Sequence, residues 1–237
     1  MSLFCGSLHA YSASMTRFIG VLFVALLISP STLAVTKPHS IVLGKWTTVK
    51  WTTGPSDNQT IDLKVRALVV DGHLKEYTIG TPHDITERLF VVRRVFRLND
   101  ALPDDKQPHW RWERGGWMLV DRISAHITQL NLPEFDTYSS VASWYRDYVA
   151  YCGVSDDGDK FYEIVTQLGR RKPVLKKTII STVAWDMPDA VCAAPDWRRQ
   201  PTRVSFSMGG SERTTYEVRG HAFNLIKDQD EDETGSE

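Results

Sequence analysis

Short segments in which apolar and polar residues alternate dominate the chain, and this pattern is typical of β-strands with one buried face. The clearest case is residues 61–67, where apolar side chains alternate with charged ones. Residues 89–98 form a longer apolar run that contains arginines, and residues 46–52 are rich in β-branched and aromatic side chains. No convincing amphipathic helix of about a dozen residues is present. The pattern therefore predicts an all-β fold.

Turn-forming dipeptides separate the expected strands. Asp71-Gly72 lies between two apolar segments and predicts a tight hairpin. Gly115-Gly116 separates two aromatic-rich segments and predicts a further turn. Asp157-Gly158 stands in an acidic stretch whose carboxylates could suit calcium. Because the spacing of a calcium-binding EF-hand loop is absent, a hairpin turn is the favoured interpretation.

Strand–turn–strand units recur along the chain. Anchoring them on Val70, Val120, Val165 and Val218 gives spacings of 50, 45 and 53 residues. The four-stranded blades of β-propellers repeat at about 40–50 residues. The sequence thus predicts a propeller-like fold, or an incomplete β-propeller, of about four four-stranded units. A β-sandwich whose hairpins recur at similar spacing is the alternative.

Residues 143–164 have the order of elements found in one blade of a known group. They read as a strand with Trp144, a short turn, an apolar strand, an Asp-Gly turn and a further strand. This segment resembles bacterial β-propeller repeats of the TolB/WD40-like kind, and the whole chain is similar to uncharacterised secreted bacterial proteins. The resemblance implies a propeller-like fold and carries no particular activity.

The first 34 residues differ from the rest of the chain. Residues 18–28 are an unbroken apolar run that follows Arg17 and leads to a small-residue segment ending at Ala34. This arrangement predicts a signal peptide over residues 1–34 with the true start at Met15. Because the run is shorter than the roughly 20 residues that span a bilayer, we expect cleavage rather than a membrane anchor. The protein is then secreted or periplasmic, with no transmembrane segment after cleavage.

The remaining chain divides by composition into two parts. Residues 35–226 are long enough for a single all-β domain. Residues 227–237 are predicted to be a disordered acidic tail, since six of them are acidic and only Lys227 is basic. The formal net charge of −1, together with export, argues against a nucleic-acid partner.

Two cysteines, Cys152 and Cys192, lie after the signal peptide. Export to an oxidising compartment favours a disulfide between them, and two buried free thiols are the alternative. The histidines and cysteines lack the spacing of a zinc site, and motifs for nucleotide binding or nucleophilic hydrolysis are absent. The sequence predicts neither a metal nor a cofactor.

Tryptophan is abundant, with eight in the chain. Trp110 and Trp112 share one strand face, Trp117 follows the two glycines, and Arg111 and Arg114 lie between them. Aromatic side chains next to arginines could stack on sugars or contact a protein partner, although core packing explains tryptophans equally. These five residues are the candidate binding residues.

The sequence therefore predicts an exported, non-catalytic binding or scaffold protein of the cell envelope or extracellular space. Its expected partner is a protein or a glycan, and self-association is a further expectation. The alternative is an envelope hydrolase acting on a glycan or an ester. That hydrolase would use carboxylates near the aromatic strands, such as Asp121, Glu134 and Asp136.

Overall fold

A computed structural model describes residues 38–52, 60–179, 192–207, 213–219 and 222–226. In these ranges the chain forms strands and turns without a helix, which confirms the all-β prediction. Accordingly, the described part contains no helix that could cross a membrane. The expected signal peptide at residues 1–34, the start at Met15 and the acidic tail at 227–237 lie outside the described residues.

The described strands pair antiparallel in three open sheets. The first sheet contains β1 (Ile41–Leu43), β2 (Thr47–Thr52), β3 (Thr60–Val70), β4 (His73–Asp84), β5 (Leu89–Asn99), β6 (Trp110–Asp121) and β7 (Ile127–Gln129). The second contains β8 (Ser143–Tyr145), β9 (Tyr148–Val154), β10 (Phe161–Gln167) and β11 (Leu175–Ile179). The third contains β12 (Asp196–Arg199), β13 (Thr202–Phe206), β14 (Thr214–Arg219) and β15 (Ala222–Ile226).

The first sheet is larger than the predicted four-stranded units. Its strands pair in the order β1-β3-β4-β5-β6-β7, and β2 pairs with the other half of β3. The strands β3 to β6 each have 11 or 12 residues and pair with their neighbours in turn, so the sheet does not divide between them. In addition, β2 lies against β6, and this half of the sheet curls around Val65, Ile79 and Val95.

The first predicted hairpin is present between β3 and β4. Asp71 and Gly72 have φ values of 50° and 79°, which are the positive values that a tight hairpin turn requires. Asparagine, aspartate and glycine tolerate this conformation better than other residues do. The turn predicted from the Asp71-Gly72 dipeptide is therefore confirmed.

The turn predicted at Gly115-Gly116 is wrong, because β6 continues through both glycines. Arg93 of β5 pairs with Trp117, whereas Val95 pairs with Arg114, so two residues of β6 lie opposite one residue of β5. This is a β-bulge, in which an extra residue bends the strand and changes which face its side chains occupy.

The central strands of the second sheet, β9 and β10, are buried on both faces. One face packs against Val91 and Trp117 of the first sheet through Val149, Tyr151 and Ile164. The other packs against Val204, Phe206 and Tyr216 of the third sheet through Ala150, Cys152 and Val165. Double burial explains why β9 is a continuous apolar segment and not an alternating one. The outer face of the third sheet is polar, where Arg203 pairs with Glu217 and Ser205 with Thr215.

A disulfide joins the second sheet to the segment before β12. Cys152 and Cys192 have Cα atoms 6.1 Å apart and are separated by 40 residues in sequence, as expected from the two-cysteine composition. Beside it, the buried carboxylate of Glu163 accepts hydrogen bonds from the hydroxyls of Thr214 and Tyr216. This contact and the disulfide fix the third sheet against the second.

Candidate functional site

All five predicted binding residues lie on β6, but the structure does not bring them together at one surface. Trp110 is at the free end of the β5–β6 hairpin and is 51% exposed. Trp117, at the other side of the bulge, is only 9% exposed. The predicted set therefore separates into an exposed group near Trp110 and an inner group at Arg114 and Trp117.

The exposed group lies at the end of the β5–β6 hairpin, which we call the Trp110 surface: Trp110 and Arg97 are on one face, Leu98 and Arg111 on the other, and Leu102 is in the connecting loop. Leu98 is exposed and Leu102 is 69% exposed. The guanidinium of Arg97 lies 5.1 Å from the centroid of the Trp110 ring. Arg111 contacts two carboxylates, Asp100 at 3.3 Å and Glu113 at 2.9 Å. The surface therefore combines exposed apolar side chains with oriented cations.

The loop beneath this surface is held by hydrogen bonds. The Asn99 side chain accepts from the backbone N–H of Ala101 at 3.2 Å and of His109 at 2.8 Å. The N–H of Asp100 donates to the carbonyl of His109 at 3.0 Å. The N–H of Leu102 donates to the carboxylate of Asp105 at 2.7 Å. Because the loop is already ordered, binding a partner would cost less conformational entropy.

Trp112 supports this hairpin from its inner face. Its ring meets Tyr77 edge-on with the ring centroids 5.1 Å apart, and it packs on the core of the curled half-sheet. Arg97 lies 6.0 Å from its centroid as well. Trp112 thus links the exposed tip to the core and presents little surface of its own.

Arg114 lies in a buried contact between β2, β6 and the segment after β7. Its guanidinium is 3.8 Å from the ring centroid of Trp51, and it donates to the carbonyl of Tyr138. The Tyr138 ring stacks on Trp51 at 6.2 Å, and its hydroxyl donates to Glu113 at 2.7 Å. Burial lowers the pKa of Arg114, although Asp136 partly offsets the effect. Burial and the bond to Glu113 raise the pKa of Tyr138.

Trp117 belongs to the core between the first and second sheets. Its ring meets Trp144 of β8 edge-on at 5.3 Å, and Trp144 in turn stacks with His83 at 6.0 Å. His83 also contacts the carbonyl of Arg146 through Nε2 at 2.8 Å. These contacts place Trp117 away from the Trp110 surface.

The three carboxylates proposed for a hydrolase already have partners. Asp121 accepts from Nε and Nη2 of Arg88, and this contact holds the pKa of its carboxyl well below the ordinary value. Glu134 accepts from Lys176 at 2.7 Å. A glycosidase acid needs a raised pKa, so the shift at Asp121 is in the opposite direction.

Asp136 has a turn-forming role in the segment between the first two sheets. Its Oδ1 accepts from the N–H groups of Tyr138 at 2.9 Å and Ser139 at 2.6 Å, and from the Ser139 hydroxyl at 2.7 Å. Such local bonds are the usual function of aspartate in turns. Asp136 therefore shapes the segment that carries Tyr138 to Trp51.

Among the described residues, His, Cys, Asp and Glu form no group of three or more that could hold a metal ion. At the acidic stretch considered for calcium, Asp157 accepts from the Ser155 hydroxyl and from the N–H of Asp159. These bonds lower the pKa of Asp157. Gly158 has a φ of 75°, as the hairpin interpretation requires.

Two residues important to the inner group were not singled out from the sequence. In the sequence Trp51 is one member of an aromatic segment, and Arg93 is one member of an apolar strand. For Arg93 a signal exists, because it lies two residues from both Val91 and Val95 and so shares their face of the strand. For Trp51 the deciding partner, Arg114, is distant in sequence.

No protein-family model, curated protein or solved structure matches this chain. The geometry of its own residues is therefore the basis for a functional proposal.

Proposed function

We propose that this is an exported, non-catalytic binding or scaffold protein that docks a partner protein at the Trp110 surface. The observation that carries the proposal is the exposed Trp110 ring next to Arg97, at the end of an ordered hairpin that also exposes Leu98 and Leu102. Tryptophan and arginine are enriched among residues that dominate binding energy, and both are present here. A hairpin end that is already ordered limits the entropic cost of docking.

A protein partner accounts for this surface better than a glycan does. Sugars stack on a flat aromatic face that polar groups surround, whereas the end of this hairpin exposes two leucines as well as Trp110. Arg97 at the rim suits carbonyl and carboxylate groups on a protein. A glycan and a second copy of this chain are the other outcomes of the test below.

Export from the cell supports this function, and the main evidence for export is the sequence of residues 1–34. The pattern at residues 1–34 is that of a signal peptide. The paired cysteines Cys152 and Cys192 fit an oxidising compartment, where disulfides persist. Both features favour the cell envelope or the extracellular space as the site of action.

We further propose that the three sheets form an incomplete, propeller-like stack and not a two-sheet sandwich. The recurring valines support it, since Val165 and Val218 lie on the third strand of the two four-stranded sheets, β8–β11 and β12–β15, and Val120 lies on β6 of the first sheet. The first strand of the second sheet, β8, also packs against the first strand of the third sheet, β12.

The test is site-specific cross-linking in the cells that export the protein. A photoreactive amino acid replaces Leu102 on the Trp110 surface or, as a matched control, the exposed Ile123. The proposal expects an adduct with a different protein at position 102 and none at position 123. An adduct of twice the chain mass would indicate self-association, and retention on cell-wall glycan without a protein adduct would indicate a glycan. Either of these results, or equal adducts at both positions, contradicts docking of a partner protein.

A further inference from the structure

A second candidate site is an open pocket on the first sheet, away from the Trp110 surface. A cavity of about 360 Å³ separates this sheet from the segment that leads to β8. Its lining includes Leu63, Ile79, Arg93, Trp117, Val141 and Ala142. Ile79, Arg93 and Trp117 are successive cross-strand partners and so form one row across β4, β5 and β6.

Arg93 is the unusual member of this row, because it is only 8% exposed. Its guanidinium donates to three backbone carbonyls: Nε to Gly115 at 3.2 Å, Nη2 to Thr137 at 2.6 Å, and Nη1 to Ser140 at 3.5 Å. Since arginine carries five N–H donors, two remain beyond these bonds.

Among the described residues, the groups in contact with the Arg93 guanidinium are neutral. They are the three backbone carbonyls and the ring of Phe135, whose centroid lies 5.4 Å away. Burial and the like charge of Arg114 lower the pKa of Arg93 to about 10, and Asp136 opposes the shift from farther away. At neutral pH the side chain is therefore a buried cation, and a buried charge whose partners are all neutral is costly.

The rest of the lining completes a binding site for a small molecule. The indole N–H of Trp117 is buried and has no hydrogen-bond partner in the described structure. Leu63, Ile79 and Val141 supply an aliphatic wall, and Lys64 lies at the lining as a second cation. The cavity volume is at the lower end of the range for small-ligand sites, about 300–1,000 Å³.

We propose that this cavity binds a small organic carboxylate, with the carboxylate at Arg93 and the apolar body against the aliphatic wall. The ligand's charge would balance the buried guanidinium. Its oxygens would accept from the remaining N–H donors of Arg93 and from the Trp117 indole. The aliphatic wall selects against small inorganic anions, which would leave it facing water.

The binding test uses three probes on the mature protein: hexanoate, its neutral analogue hexanamide, and sulfate. Indole N–H signals are followed in ¹H–¹⁵N spectra, and a Trp117→Phe variant assigns the Trp117 signal. The proposal expects hexanoate to shift this signal in a saturable manner, and the other two probes to leave it in place. An equal response to hexanamide or sulfate, or an absent response to hexanoate, overturns the proposal.

Variants then separate the site from general effects on the fold. Arg93→Met is expected to weaken hexanoate binding by at least about thirtyfold, because it removes the charged partner. The matched control is Arg94→Met, since Arg94 lies on the opposite face of β5 and pairs with Glu76 at 2.9 Å. If Arg93→Met does not fold, Ala142→Leu decides, because it fills the cavity and keeps Arg93. Unchanged binding in Ala142→Leu overturns the proposal.

Discussion

The guanidinium of Arg114 lies 3.8 Å from the ring centroid of Trp51, on a strand that is not hydrogen-bonded to its own. Trp51 is on β2 and Arg114 on β6, so the contact closes the curled half of the first sheet. The Tyr138 ring also stacks on the indole and brings the segment after β7 to the same place. This contact fixes the inner side of the hairpin whose outer end carries the Trp110 surface.

Replacing Arg114 with methionine is expected to lower the free energy of unfolding by about 2 kcal/mol, since a desolvated cation–π contact contributes about that much. Urea denaturation provides the measurement. A matched control exists at Arg66, which lies 4.2 Å from the ring centroid of the 46% exposed Trp46. Arg66→Met is expected to cost about 1 kcal/mol or less. Equal losses for the two variants would contradict a special role for the Trp51 contact.

The disulfide is expected to stabilise the packing of the third sheet on the second. A variant with both Cys152→Ser and Cys192→Ser should lose about 2–4 kcal/mol of unfolding free energy. Adding a reductant should destabilise the parent protein to a similar extent and leave the double variant unchanged. A parent protein whose two thiols are both titratable after denaturation without reductant would show that the pairing is absent.

Gly153 on β9 is expected to be intolerant of a side chain. A Cβ at this position would lie 2.6 Å from Cδ1 of Ile164 and 2.9 Å from the carbonyl oxygen of Glu134. Gly153→Ala should therefore lose about 1–3 kcal/mol of stability through overpacking. Gly116→Ala is the control, since its Cβ would meet only the carbonyl of Leu130 at 4.0 Å. If thermal denaturation shows the same stability for both variants, the prediction that β9 is closely packed at Gly153 is wrong.

Alkaline pH is expected to destabilise the protein through Tyr151. Burial, together with the charge of Glu134, raises the pKa of this phenol above its ordinary value of about 10. Because the folded state holds the proton more tightly, the stabilising contribution is fully present below about pH 10 and is lost as the pH rises above it.

Tyr151→Phe should therefore reduce the fall in unfolding free energy between about pH 9 and pH 11. Tyr162→Phe on the adjacent strand is the control, because the Tyr162 ring lies beside Lys176 at the sheet surface. A parent and a Tyr151→Phe variant with the same slope above pH 10 would disprove this assignment.

Local signals in the sequence were sufficient for the strands and for one hairpin. Asp71-Gly72 specifies its own turn, since its residues adopt positive φ values readily. Gly115-Gly116 is equally compatible with a turn or a bulge. The choice depends on β5, which pairs with β6 on both sides of the glycines. Only the tertiary structure contains that information.

The candidate binding residues show the same limit. Alternation along β6 correctly put Trp110 and Trp112 on one face, yet it could not show that the bulge brings Trp117 to the same face, where the second sheet covers it. Exposure depends on the distance from the free end of the hairpin, which the sequence does not give. The buried Arg93 could have been inferred from its position between Val91 and Val95, but its cavity depends on the segment after β7.

The central claim is that Trp110 anchors a partner protein, and one cross-linking measurement tests it most directly. The yield of the protein adduct at position 102 is compared between Trp110→Ala and Trp46→Ala, which both remove an exposed tryptophan next to an arginine. Both variants should fold as the parent does. The account predicts that Trp110→Ala reduces the yield at least about tenfold, as for the loss of a binding hot spot, while Trp46→Ala leaves it unchanged. An undiminished yield in Trp110→Ala, or an equal loss in both, would contradict it.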